Sequence, residues 1–228
     1  MLSIALLDAS GPHDDAPRNF RRALDASVTR FDVPDGELPP LDGTYDAGVL
    51  SGSWASVYWD LAWIGPLKGW VSDAVDRGLP LFGVCFGHQL LADVLGGEVV
   101  GRDTYELGYH EITHAPGSRL FAGVPRRFVA FTAHSDDVVS LPPGAEKLAE
   151  NEYSIHAFRK GDAVGVQFHP EFDSRTAARV VEERDPSEER TPDAEATLTP
   201  ENLEAAAEAT RVFDNFLDAV RAASVAGD

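Results

Sequence analysis

The order of its elements predicts an α/β fold, a mostly parallel open sheet flanked by helices with extra antiparallel strands. Three observations predict it. In the first half of this 228-residue chain, short apolar runs alternate with segments of helical period. In the second half, short strand candidates follow one another with turn residues between them. The length fits one domain, and 43% hydrophobic residues with 12 Phe and 4 Trp supply a sizeable core. We therefore read residues 1–228 as a single domain.

Ser3 to Leu7 reads as a first buried strand, Arg18 to Ala26 as a helix and Val28 to Val33 as a second strand. Tyr45 to Leu50 is a third strand and ends in Ser51-Gly52-Ser53. Leu61, Trp63, Ile64, Leu67, Trp70, Val71 and Val75 form a helical stripe between Trp59 and Arg77, which Pro66 breaks or restarts. Leu79 to Val84 is a strand that feeds Cys85, and Gln89 to Leu95 a helix that leaves it, stopped by Gly96-Gly97. Such alternation implies right-handed crossovers between parallel strands.

Strand candidates follow at Glu98 to Val100, Tyr109 to Thr113, Phe128 to Thr132, Lys147 to Ala149, Ser154 to Arg159 and Ala163 to Phe168. The spacing predicts antiparallel strands layered on the parallel core. Residues 185–200 are rich in Glu, Asp, Pro, Ser and Thr, which predicts a mobile acidic loop. Thr199 as N-cap and Pro200 at the first helical position open a last helix, with Leu203, Ala207, Val212, Phe213, Phe216, Leu217 and Val220 as its apolar positions.

Charge narrows the partners. Thirty-eight acidic residues against 19 basic ones give a net charge of −19, spread along the whole chain. Such a surface repels nucleic-acid phosphate and anionic lipid, so neither nucleic acid nor membrane is expected as a partner. Solubility in high salt is the simplest use of that charge. A single cysteine excludes an intrachain disulfide and a zinc site built on several cysteines, and it points to a reducing compartment. The N-terminus lacks a basic region before its apolar run, and no apolar stretch approaches the roughly 20 residues of a membrane span. A cytoplasmic protein with no metal and no cofactor is expected.

That cysteine, Cys85, carries the chemistry. It stands between a buried-strand run and an apolar helix, with Gly83 and Gly87 two residues to either side. This G-x-C-x-G pattern is the cysteine counterpart of the serine elbow of hydrolases, a sharp strand-to-helix turn that lifts the nucleophile from the sheet edge. A helix N-terminus also favours the thiolate. Phe168-His169-Pro170-Glu171 follows another apolar strand and offers an imidazole to take the thiol proton and a carboxylate to orient it. Gly52, at a third strand end, could bring a backbone N–H to an oxyanion, with the N–H of Phe86 as second donor. His110, His114 and His156 show no ligand constellation, and neither does His13.

These motifs resemble the class I, triad-type glutamine amidotransferases, most nearly the glutaminase portion of guanosine monophosphate synthetase and its stand-alone relatives. The matching residues are Gly83-Val84-Cys85-Phe86-Gly87-His88-Gln89, the segment from Ser51 to Tyr58, Glu106-Leu107-Gly108, Ala133-His134-Ser135-Asp136, Val166 to Glu171, and Asn215-Phe216-Leu217. The resemblance implies the flavodoxin-like fold of that family and a glutamine amide or γ-glutamyl amide as substrate. It implies attack by Cys85, proton transfer by His169, orientation by Glu171, an oxyanion held by Gly52 and Phe86, and a glutamyl thioester released by water. It further implies that Gln89 and the turn His134-Ser135-Asp136 contact the substrate. The chain carries no glycine-rich phosphate loop and no attached synthetase domain, so an ammonia acceptor would be a separate synthetase subunit. Two alternatives stand beside this reading: a stand-alone γ-glutamyl peptide or amide hydrolase, and a catalytically silent regulatory module.

Overall fold

A computed structural model describes residues 1–11, 15–183 and 191–226. Its centre is one nine-stranded sheet. Strands β1 (Ser3–Asp8), β2 (Ser27–Asp32), β3 (Ala47–Leu50), β4 (Leu81–Val84) and β9 (Ala163–Val166) run parallel, in the spatial order β2-β1-β3-β4-β9. Beyond β9 the same sheet continues antiparallel through β8 (Ile155–Lys160), β7 (Glu146–Glu150), β5 (Glu98–His114) and β6 (Arg127–Ser140). The antiparallel strands thus extend the parallel core edge to edge and do not form a separate layer.

Alternation along β1 shows how the core divides. Ile4 and Leu6 join the apolar cluster on one face, and Ala5 and Leu7 the cluster on the other. The first face is covered by α1 (Asp15–Ala23), through Phe20, and by α7 (Arg211–Ala226), through Val212, Phe213, Phe216 and Leu217. Phe82 of β4 meets Phe213 and Phe216 there, at ring-centroid distances of 5.1 and 5.2 Å. The second face is covered by α2 (Ile64–Asp76) and α3 (Phe86–Val94), through Leu67, Trp70, Val71, Leu90 and Leu91. Pro66 sits in the first turn of α2, where its missing N–H costs nothing, so it starts the helix and does not break one.

Three expectations need correction. Glu98 to Val100 and Tyr109 to Thr113 are parts of one strand, β5, whose register against β6 shifts between Gly101 and Glu106. His134, Ser135 and Asp136 form no turn, because they lie inside the long strand β6. Residues 191–197, expected to be loop, form helix α5 (Thr191–Thr197), while residues 185–190 lie outside the described residues. That segment is held by buried Ala194 and by Thr197, whose hydroxyl accepts the N–H of Tyr109 at 2.9 Å. The contact needs Gly108, at φ 109°, where a Cβ would lie 2.5 Å from the Thr197 oxygen. Helix α4 (Ser174–Glu182), capped by the Asp173 carboxylate, packs Ala177 and Val181 with Ala194, Leu107, Tyr109 and Phe131 in a third apolar cluster. Thr199 does cap α6 (Pro200–Ala206), its oxygen accepting from the Asn202 N–H at 3.2 Å.

Candidate active site

The elbow after β4 is strained where chemistry needs reach. Cys85 has φ 52° and ψ −106°, the sole positive φ outside glycine among the described residues. Such a conformation costs about 1–3 kcal/mol and persists only where its surroundings fix it. Two glycines make it possible by close approach. A Cβ on Gly83 would lie 2.4 Å from the carbonyl carbon and oxygen of Gly87, and one on Gly87 would lie 2.5 Å from the carbonyl oxygen of Leu50. We expect Gly87→Ala to destabilise the fold by about 3 kcal/mol, read as a lower denaturant midpoint, because backbone and not a flexible side chain blocks the methyl. An unchanged midpoint would mean that the elbow yields easily.

Neighbouring strand ends bring the thiol and the imidazole together. β4 pairs β9 in parallel with Val84 opposite Val166, and the Cys85 N–H donates to the Val166 carbonyl at 2.9 Å. His169 follows β9, so both side chains emerge at the same carboxyl-terminal edge, where open α/β sheets place their sites. Gly52 lies between them: a Cβ there would stand 3.0 Å from His169 Cε1 and 3.6 Å from Cys85 Cβ. The thiol donates to the Ala133 carbonyl at 3.8 Å, with the His169 ring beside it across Gly52. His169 Nδ1 contacts Glu171 Oε1 at 2.8 Å, the His169 backbone N–H donates to the Phe131 carbonyl at 2.8 Å, and the Phe172 ring stacks on the imidazole at 4.1 Å. The ring is thus fixed in position and tautomer.

Electrostatics favour the ion pair. Burial pushes the Cys85 thiol up, but the His169 cation and hydrogen bond, with His134 behind them, bring it below its ordinary value. Burial opposes charge on His169 too, yet Glu171 and the Cys85 thiolate raise it to about 10. Both shifts favour the thiolate–imidazolium pair over the neutral one.

A cleft of about 230 Å³ opens over Cys85, with Gln89, His134, Asp136, Trp54 and Trp59 among its walls. Phe86 opens α3, where backbone N–H groups have no helical acceptor. Ser51 anchors the Gly52 loop by accepting the Ala9 N–H at 2.8 Å and donating to the Gly52 carbonyl at 2.9 Å. Gln89 donates its Nε2 inward, to the Asp136 carbonyl at 2.8 Å and Gln167 Oε1 at 3.1 Å, and so braces the strand opposite. Asp136 Oδ1 accepts from the Tyr58 hydroxyl at 3.0 Å. The His134 side chain, expected to meet substrate, is buried and committed to Glu106 and to Asp137. Of the neighbouring 134–136 residues, Ser135 is the more accessible.

Sequence reasoning missed the polar cluster beneath the cleft. Glu106 Oε2 meets His134 Nε2 at 2.8 Å and His156 Nε2 at 3.3 Å, and Glu106 Oε1 accepts from Asn151 at 2.6 Å. The three donor atoms of Glu106, His134 and His156 lie within 4.8 Å of one another. Those hydrogen bonds already engage all three atoms, so we assign an ion-paired network there and no metal site. His88, in the elbow motif, is buried against Phe158, and burial lowers it to about 3, which keeps it neutral.

The sequence profile of the glutamine amidotransferase class-I family matches residues 18–184. This chain belongs to that family. It is 37% identical over 172 residues to a glutamine-hydrolyzing GMP synthase of Thermomicrobium roseum, covering 74% of this chain and 31% of the relative. It is 32% identical over 164 residues to gamma-glutamyl peptidase 5 of Arabidopsis thaliana, covering 67% and 64%. The chain therefore spans less than two thirds of the length of either relative. A crystal structure of a glutamine amidotransferase from Thermotoga maritima superposes with a TM-score of 0.82 at 25% identity, covering 96% of this chain and 97% of that one. The amidotransferase chain thus has a glutamine amidotransferase fold along nearly its whole length.

Proposed function

We propose that this amidotransferase hydrolyses the side-chain amide of glutamine through a glutamyl thioester on Cys85 and releases ammonia. One observation carries the reading: a thiol at a strained elbow shares the Gly52 corner with an imidazole that a buried carboxylate orients. The Cys85 thiolate attacks the amide carbon, and the N–H groups of Gly52 and Phe86 hold the oxyanion. The C–N bond breaks as His169 gives its proton to the departing nitrogen, which leaves as ammonia. Water then loses a proton to His169 and attacks the thioester carbon. The C–S bond breaks, glutamate leaves, and the proton returns to the thiolate–imidazole pair. Gln89, Ser135 and Asp136 bound the space for the glutamyl portion.

Ammonia would pass to a synthetase acceptor, a reading supported by the likeness to a glutamine-hydrolyzing GMP synthase. The second reading, a γ-glutamyl peptide or amide hydrolase, is favoured by the likeness to a γ-glutamyl peptidase and by the exposed aromatic rim of Trp54, Tyr58 and Trp59. The thioester chemistry is shared, and only the departing amine differs. Among the described residues no helix is long and apolar enough to cross a membrane. A cytoplasmic, salt-adapted enzyme is the setting we propose for a charge of −19.

Parallel assays of ammonia release from glutamine and amine release from a γ-glutamyl anilide test the function. The proposal expects glutamine to give the higher kcat/KM. A preference for the anilide would favour the hydrolase, and inertness towards both would contradict the enzyme reading.

A further inference from the structure

The buried cluster of Glu106, His134, Asp137 and His156, with half-buried Asn151 at its edge, is not used by the mechanism above, yet it reaches the cleft wall through His134. Its three histidine and carboxylate strands are distant in sequence: Glu106 is on β5, His134 and Asp137 on β6, His156 on β8. His134 Nε2 meets Glu106 Oε2 at 2.8 Å, and its Nδ1 meets Asp137 Oδ1 and the Asp136 carbonyl, each at 3.2 Å. Both ring nitrogens thus face acceptors, which a neutral imidazole with one N–H cannot serve together. His156 shares only Glu106 and the Ser154 hydroxyl, at 3.3 and 3.2 Å. Asp137 is itself paired with Arg102, at 2.5 Å.

We propose that Glu106 and Asp137 are positioning residues that hold His134 as a second imidazolium beside Cys85, so that two cations stabilise the thiolate and not His169 alone. This rests on the reading of Cys85 as the nucleophile. The charges around the thiol are His169 and His134, which favour its ionised form, and Glu171, which opposes it. The groups around His134 are Glu106, Asp137, His156 and Cys85. Burial opposes its protonation, but the two carboxylates prevail and raise it to about 10. Burial lowers His156, which stays neutral, so the cluster holds one positive charge, on His134, the ring that lines the cleft with Cys85. The arrangement leaves His169 free to pass its proton during turnover while a fixed cation remains.

The single cysteine makes the test direct, because every alkylation reads Cys85. The rate of reaction with iodoacetamide is followed against pH in wild type, in His134→Gln and in the double variant Glu106→Gln/Asp137→Asn. Loss of the cation moves the midpoint up by about one pH unit in both variants, since a nearby opposite charge is worth about that or more. The limiting rate at high pH, where every thiol is ionised, stays the same. A midpoint that does not move, with the rate lowered equally at all pH values, would assign the cluster a structural role and overturn the proposal. Should the variants not fold, nitrogen NMR of the wild-type histidines decides: His134 protonated on both nitrogens at pH 7.5 supports the proposal, and a neutral ring overturns it. Turnover is assayed separately. A shifted midpoint in a protein that never releases ammonia would sink the glutaminase function and leave this inference standing; normal turnover with an unmoved midpoint would sink this inference alone.

Discussion

Cys85→Ala lowers the turnover of glutamine by roughly six orders of magnitude, the scale seen when a covalent nucleophile is removed. The effect is chemical and not a failure to fold. Alanine accepts the positive φ no worse than cysteine does, and the thiol is the only group removed from the cleft. The melting temperature should stay near that of wild type. Cys85→Gly makes the complementary point: it abolishes turnover equally but relieves strain at φ 52°, gaining about 1 kcal/mol in a denaturant titration. Ammonia release that survives in Cys85→Ala would place the nucleophile elsewhere.

His169→Gln gives the second large effect, a fall of roughly four orders of magnitude or more in kcat. Two losses combine. The thiol no longer has an acceptor for its proton, and the departing nitrogen no longer has a donor. The sign of the accompanying pH effect is fixed by charge. His169 is the foremost group that lowers the Cys85 thiol against the cost of burial, so its removal lets burial dominate and the thiol titrates higher. Alkylation of Cys85 at pH 7 therefore slows in His169→Gln. Adding His169→Gln to Cys85→Ala should cost little more, because members of one catalytic unit are strongly non-additive. Independent, multiplying losses would mean that the two residues serve separate steps.

What the sequence made legible follows from locality. The elbow could be read because strand, glycine, cysteine, glycine and helix are contiguous, and the reason for both glycines is a backbone contact within that same turn or with the end of β3. The pairing of Cys85 with His169 could be inferred because each follows an apolar strand, although only the neighbouring positions of β4 and β9 bring them to one edge. Glu106, Asn151 and His156 could not be read this way. They come from separate strands or connections, and period-two segments carry no spacing rule that marks which polar side chains will meet across a sheet. His134 looked like part of a turn because Ser and Asp follow it, but cross-strand pairing with β5 carries the strand straight through. Residues 191–197 looked like loop because seven mostly polar residues have little helical pattern; two tertiary anchors, Ala194 and Thr197, outweigh that composition.

Intact mass spectrometry after incubation with a glutamine-analogue electrophile tests the shared site of Cys85 and His169 most directly. The geometry predicts one adduct per chain in wild type, mapped to Cys85, formed far more slowly in His169→Gln and absent in Cys85→Ala. An adduct that persists in Cys85→Ala, or forms at an undiminished rate without His169, would contradict it.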